Sequence, residues 1–387
     1  MDFSNRIKKL PDQFFASLVS KVQAAMKEGR DIINLGQGNP DQPTPSHIVE
    51  ALREAVLDPS LHKYSPFRGL AELKQAAAEF YKREYGVEVD PETEVAVLFG
   101  SKTALVELPL IMMNEGDLML LPDPGYPDYL SGASLASVRH DLMPLMEEND
   151  YLPDYNRLSV QQKEDAKLLY LNYPNNPTGA VATKEFFEET VEMAKQYDIG
   201  IVHDFAYGAI GFDGKRPISF LQIDGAKDIG VELYTLSKTY NMAGWRIGFA
   251  VGNKKIIEGI NCIQDHLYVS TFPAVQKAAE AALTSSQQCV EQLIDTYEKR
   301  RDAFMAACGQ IGWMGQVPPG SFFAWMPVPA GYTSESFADI LLTKSGVAVA
   351  PGNGFGNFGE GYVRIGLLVE EERLIEAVNR VGMLGLF

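Results

Sequence analysis

Thr235-Leu-Ser-Lys-Thr-Tyr-Asn-Met-Ala-Gly-Trp-Arg246, running straight into Ile247-Gly-Phe-Ala-Val-Gly252, is the stretch whose reading decides the fold. It sets Lys238 among the hydroxyls of Thr235, Ser237 and Thr239, with Arg246 a short way downstream. An amine attacks an aldehyde only in its neutral form, and a nearby cation or lost hydration favours that form. Arg246 offers such a cation, and its planar fork also suits a phosphate. The plainer alternative is a surface lysine in a loop between two apolar strands.

Outward from this stretch the chain alternates apolar strands with helical patterns. Val95-Ala-Val-Leu-Phe99 runs into Gly100-Ser-Lys-Thr103, a strand, a glycine turn and a helix start whose free amides suit an anion. Leu118-Met-Leu-Leu121 ends in Pro122-Asp-Pro-Gly-Tyr126-Pro, an aromatic on a stiff loop. Leu168-Leu-Tyr-Leu-Asn-Tyr173 leads into Pro174-Asn-Asn-Pro-Thr-Gly179, after which Thr183 caps a helix with Phe187, Val191 and Ala194 on one face. Ile199 to Asp204 is the next strand, closing on Asp204-Phe-Ala-Tyr207, and Glu232 to Leu236 then delivers Lys238. Strands separated by helices predict a mainly parallel sheet, whose ligands bind at the carboxyl ends of the strands. Ser101, Tyr126, Asn176, Asp204 and Lys238 all fall just at or past such ends. A small molecule carrying both an aldehyde and a phosphate, as pyridoxal phosphate (PLP) does, would use Lys238 and Arg246 together.

The flanks have a different texture. Residues 1–30 form an amphipathic segment with Phe14, Phe15, Leu18 and Val19 at helical spacing, extended by Val22 and Ala25. Ile32 to Asp41 is a short strand breaking into a Gly/Pro loop that contains Gly38, and His62 to Gly69 is a loop carrying Tyr64. Past residue 285 come a helix over Val290 to Met305, the Pro318 to Trp325 segment, a glycine-rich loop from Gly352 to Gly361, and a strand, Tyr362 to Gly366, presenting Arg364. A last helix has Leu374, Ala377, Val378 and Val381 on one face. The expected architecture is α/β: a large, mainly parallel three-layer domain over residues 41–285. Residues 1–40 and 286–387 would form a smaller α+β domain.

Composition narrows the partners. A formal net charge of −17 over 387 residues argues against nucleic acid or an anionic membrane. Cys262, Cys289 and Cys308 are widely spaced and form no Cys-x-x-Cys pair, so neither a disulfide framework nor a metal site is expected. The opening residues lack an apolar core of signal-peptide length, and no run approaches the ~18 apolar residues of a membrane helix. A cytoplasmic location is the expectation.

Thr235 to Gly248 resembles the cofactor-lysine signature of class I/II aminotransferases, Ser/Thr-x-Ser-Lys, five residues, then Gly-x-Arg-x-Gly, and the resemblance extends over essentially the whole chain. It implies the fold-type-I architecture with PLP as cofactor. Lys238 would then hold PLP covalently and move protons, and Asp204 would pair with the ring nitrogen. Asn176 and Tyr207 would bond the ring's phenolic oxygen. Arg246, Thr235, Ser101 and Lys102 would hold the phosphate, and Tyr126 would stack on the ring. Arg364, with Gly38 and Asn176 nearby, would grip the substrate carboxylate. Tyr64 would reach the phosphate of a neighbouring subunit, which implies a homodimer with shared sites. Thr235 stands where many relatives have serine.

Asn34 to Pro45, Asn172 to Val181 and His203 to Gly208 are most similar to the branch that aminates the 2-oxo acid of methionine (4-methylthio-2-oxobutanoate) with glutamine. Helix residues Phe14 and Phe15 would offer an apolar wall for that thioether. A C–S lyase or an aspartate or aromatic aminotransferase would share nearly every cofactor residue. A PLP-binding regulator would need a DNA-binding domain, and no basic helix-turn-helix precedes residue 30.

Overall fold

The computed structural model describes residues 2–11, 14–268 and 270–387, with the side chain of Phe15 outside that description. In chain order the strands are β1 (Ile33–Asn34), β2 (Val95–Leu98), β3 (Leu118–Asp123), β4 (Arg139–Pro144), β5 (Ala166–Asn172) and β6 (Gly200–Asp204). There follow β7 (Gly230–Thr235), β8 (Gly248–Gly252), β9 (Phe323–Pro327), β10 (Val347–Ala348), β11 (Ala350–Pro351) and β12 (Tyr362–Gly366). Strands β2 to β8 make one seven-stranded sheet in the order β2-β8-β7-β6-β5-β3-β4. Only β8 runs against its neighbours, pairing antiparallel with both β2 and β7. The β4 edge strand was not anticipated from sequence; Arg139 and His140 are exposed and blur its apolar pattern.

Helices cover both faces of this sheet because its strands are apolar on both sides. On β5, Leu168 and Tyr170 pack with helices Ser101–Met112, Tyr129–Ala136 and Lys254–Leu267, while Leu169 and Leu171 point into the opposite layer. That opposite layer holds the helices Ala71–Tyr85, Lys184–Tyr197 and Pro273–Thr284. Such two-sided burial is what a near-continuous hydrophobic run requires. The expected cap forms: Thr183 Oγ1 accepts from the Phe186 amide at 3.1 Å, and Phe187, Val191 and Ala194 are buried.

The chain termini build a separate layer. Strands β11, β12 and β9 form a three-stranded antiparallel sheet, and β1 pairs in parallel with β10. Helix Gln288–Ile311 is longer at both ends than its periodicity indicates. Helix Glu371–Gly382 buries Leu374, Ala377, Val378 and Val381, as expected. In helix Phe14–Lys27, Val22 and Ala25 are buried, but Val19 lies exposed and so departs from the predicted apolar face.

Candidate active site

Parallel strands put their carboxyl ends on one edge, and a cavity of about 460 Å³ opens there. Gly38, Ser101, Lys102, Tyr126, Asn176, Asp204, Tyr207, Thr235, Lys238, Arg246 and Arg364 all line it. Tyr64 is the exception among the predicted residues. It is 89 % exposed and lies away from this cavity.

Lys238 sits on the one-turn helix Leu236–Thr239 that ends β7. Its ammonium donates to the Gly38 carbonyl at 2.9 Å and lies 5.6 Å from the Phe322 ring centre. Burial, then the Arg364 and Arg246 cations, pull its pKa from 10.5 down to about 8, against the opposing pull of Asp204. Thr235 and Ser237 face each other, with the Thr235 hydroxyl 2.9 Å from Ser237 Oγ. Thr239 instead turns into the core and pairs with the Tyr234 hydroxyl at 2.9 Å.

Asp204 ends β6 and is 6 % exposed. Its Oδ2 accepts from the Tyr129 hydroxyl at 2.9 Å, while buried Oδ1 has no hydrogen-bond partner among the described residues. Burial pushes the Asp204 pKa up to about 6, with the Tyr129 hydrogen bond and then His203 the largest restraints. An unsatisfied buried carboxylate oxygen is costly unless a ligand donates to it. Asn172, at the end of β5, ties the strand ends together. Its Nδ2 donates to the Asp204 carbonyl at 2.7 Å and its Oδ1 accepts from the Asn176 amide at 2.8 Å.

The turn after β2 lies against Arg246. Gly100 has φ +76, and a Cβ there would fall 2.5 Å from Arg246 Nη2, so glycine lets guanidinium and backbone meet at the start of helix Ser101–Met112. Arg246, itself at φ 56, donates to the Ala243 carbonyl at 2.9 Å. The Lys102 ammonium is held 2.8 Å from Asp128.

Arg364 is 1 % exposed on β12. It donates to Asn176 Oδ1 at 2.8 Å and to the Gly36 carbonyl at 3.0 Å, and its Cζ lies 4.1 Å from the Phe323 ring centre and 4.7 Å from that of Phe355. Burial lowers its pKa to about 10, so it stays charged at neutral pH. Tyr126 and Tyr207 have their phenol pKa values raised, chiefly by burial, and remain protonated.

The class I and II aminotransferase family matches the chain over residues 30–381. The chain belongs to this family. This aminotransferase is 63 % identical over 384 residues, 99 % of its own length and 96 % of the relative's, to the L-glutamine–4-(methylsulfanyl)-2-oxobutanoate aminotransferase of Bacillus subtilis. It is 51 % identical to the transaminase BacF of the same organism, over 99 % of this chain and 96 % of that one. The apo-BacF structure superposes with a TM-score of 0.96 at 50 % identity, covering 100 % of this chain and 99 % of the other. A Thermus thermophilus aspartate aminotransferase variant gives 0.92 at 30 % identity, covering 99 % and 100 %. The fold is therefore that of the fold-type-I aminotransferases, and the chain is a transaminase.

Sequence reasoning missed Tyr129, Asn172 and Phe323. Tyr129 had one available signal: it follows Tyr126 by three residues, across the turn that opens helix Tyr129–Ala136, and the two rings lie 5.7 Å apart. Phe323 lies within a segment that carries no spacing toward the site. Its approach to Arg364 depends on the β9–β12 register, in which Ile365 opposes Ala324 and Gly366 opposes Phe323.

Proposed function

We propose that this aminotransferase binds PLP at the cavity and moves the amino group of glutamine to the 2-oxo acid of methionine. The observation that carries the substrate is the 63 % identity, over nearly the whole chain, to a relative of that name. The cofactor reading is supported by the unpartnered Asp204 Oδ1, the partly neutral Lys238 and the Gly100–Arg246 cradle.

When bound, PLP supplies an electron sink for the electron pair released at the substrate α-carbon. Asp204, which lines the cavity, would accept from the ring nitrogen through Oδ1 and keep it protonated, since the Tyr129 hydroxyl engages Oδ2. Lys238 would make the covalent link, and its amine, once released, would carry the proton away from the α-carbon. Arg246, Thr235, Ser101 and the Gly100 turn would hold the phosphate, with Lys102 held back by Asp128. Asn176 and Tyr207 would bond the phenolic oxygen, and Tyr126 would stack on the ring. Arg364 would bind the α-carboxylate as a fork, near Gly38.

The cations lining the cavity are Lys102, Lys238, Arg246 and Arg364, each accounted for above. Among the described residues no further cation lines it for a distal carboxylate, which favours a neutral side chain over a dicarboxylate. Exposed Tyr64 fits a homodimer in which it reaches a second copy's phosphate. The division into residues 41–285 and 1–40 with 286–387 is supported by the three sheets: every strand of the seven-stranded one falls within 41–285, and every strand of the other two falls outside it. No helix among the described residues is long and apolar enough to cross a membrane, and we assign the cytoplasm as location.

The test compares kcat/KM for the methionine oxo acid and for oxaloacetate, each with glutamine and with aspartate as donor. A preference of at least about tenfold for the methionine oxo acid with glutamine is expected. A preference for aspartate with oxaloacetate overturns the substrate assignment, and release of free ammonia without transfer to an oxo acid would replace it with a lyase.

A further inference from the structure

Neither Asp123 nor the Gly352–Gly361 loop takes part in the chemistry described so far. Asp123 ends β3, three residues before Tyr126, and is 2 % exposed. Its two oxygens reach across to the loop: Oδ2 accepts from the Asn357 amide and Oδ1 from the Phe358 amide, both at 3.0 Å. A second strap lies alongside, the Gly125 amide donating to the Phe355 carbonyl at 2.8 Å. Gly356, at φ +136, passes so close that a Cβ there would collide with Asp123 Oδ1. Amides bonded to a buried carboxylate are firmly held, because each hydrogen bond is charge-assisted.

What the loop carries gives this contact its consequence. Phe355 sits 4.7 Å from Arg364 Cζ and packs edge-on against Phe14 at 5.8 Å and Trp325 at 6.0 Å. The carboxyl edge of the large sheet is thereby joined through Asp123, residues 355–358 and the Phe355 ring to the guanidinium of Arg364. We propose that Asp123 is a positioning residue for substrate binding: by clamping the Asn357 and Phe358 amides it fixes Phe355 against Arg364 and so sets the seat of the substrate carboxylate. The inference rests on Arg364 being the carboxylate site.

The experiment uses the cofactor-loaded enzyme with Asp123→Asn, Gly356→Ala and Arg364→Lys. Asn cannot accept from both amides, since one of its two terminal groups is a donor. Gly356→Ala forces the loop off Asp123 by the clash of its Cβ with Oδ1 while keeping the carboxylate chemically intact, and serves should Asp123→Asn fold poorly. Three quantities are read: hydrogen exchange at the Asn357 and Phe358 amides, the Kd of 4-(methylthio)butanoate (a carboxylate with neither amino nor oxo group), and KM against kcat for glutamine. Asp123→Asn and Gly356→Ala should each speed exchange by at least about tenfold. They should raise Kd and KM by about tenfold and leave kcat within about twofold. Unchanged exchange overturns the clamp. Faster exchange with Kd and KM unchanged, while Arg364→Lys weakens binding, overturns its coupling to the site. An unchanged Kd in Arg364→Lys overturns the reading of Arg364 itself, and the inference with it.

Discussion

Removing Arg364 should make Lys238 a poorer nucleophile even where no substrate is involved. A lysine at pKa 10.5 is neutral about three times in ten thousand at pH 7; at about 8 it is neutral roughly one time in eleven, a gain of ~300-fold in reactive amine. The shift is depressive, so the neutral amine is gained as pH rises through about 8 rather than through 10.5. Burial is its largest cause and the Arg364 charge the next. Arg364→Gln removes that charge and should raise the pKa, cutting Lys238 reactivity at pH 7 by roughly three- to tenfold. The assay is brief reductive methylation of the cofactor-free protein between pH 6.5 and 10.5, followed by mass spectrometry of the peptide containing Lys238. The same peptide in the unfolded chain is the reference. The folded wild type should show a midpoint near 8, displaced upward in Arg364→Gln. A wild-type midpoint near 10, or identical profiles in the two proteins, refutes the electrostatic account of this lysine.

Other consequences are equally direct. Asp204→Asn should retain PLP yet slow the proton-transfer half-reaction by orders of magnitude, since each ~1.4 kcal/mol is tenfold in rate; single-turnover absorbance within a fewfold of wild type would make Asp204 structural only. Because burial pushes the Asp204 pKa up to about 6, its carboxylate is lost at higher pH than an ordinary aspartate's, on falling through that value. Affinity for 4-deoxypyridoxine phosphate, which has no aldehyde, should therefore drop below pH 6 in wild type, with this component missing from Asp204→Asn in a calorimetric titration. Tyr129→Phe removes the 2.9 Å bond to Asp204 Oδ2 and should move that inflection upward, because the hydrogen bond favours the charged form. Gly100→Ala, with its Cβ 2.5 Å from Arg246 Nη2, should weaken PLP binding by at least about tenfold while changing pyridoxal binding little, measured by equilibrium dialysis.

Local sequence was enough for the strand–loop–helix units, because apolar runs, caps and turn residues act over a few positions. It placed Ser101, Tyr126, Asn176, Asp204 and Lys238 at strand ends, and parallel pairing then brings those ends to one edge whatever the loop lengths. Thr183 likewise caps its helix through an amide three residues away. Tertiary structure decided what depends on registers between distant segments. Tyr129 meets Asp204 from 75 residues away and Arg364 meets Asn176 from 188, separations that no periodicity encodes. The same holds for Asp123 and Phe358, 235 residues apart, which only the packing of the terminal sheet against the central one brings within hydrogen-bond reach. Tyr64 marks the remaining boundary: the family resemblance implies a role for it toward a second copy, and in the single folded chain it is 89 % exposed, so the packing of one chain does not decide that role.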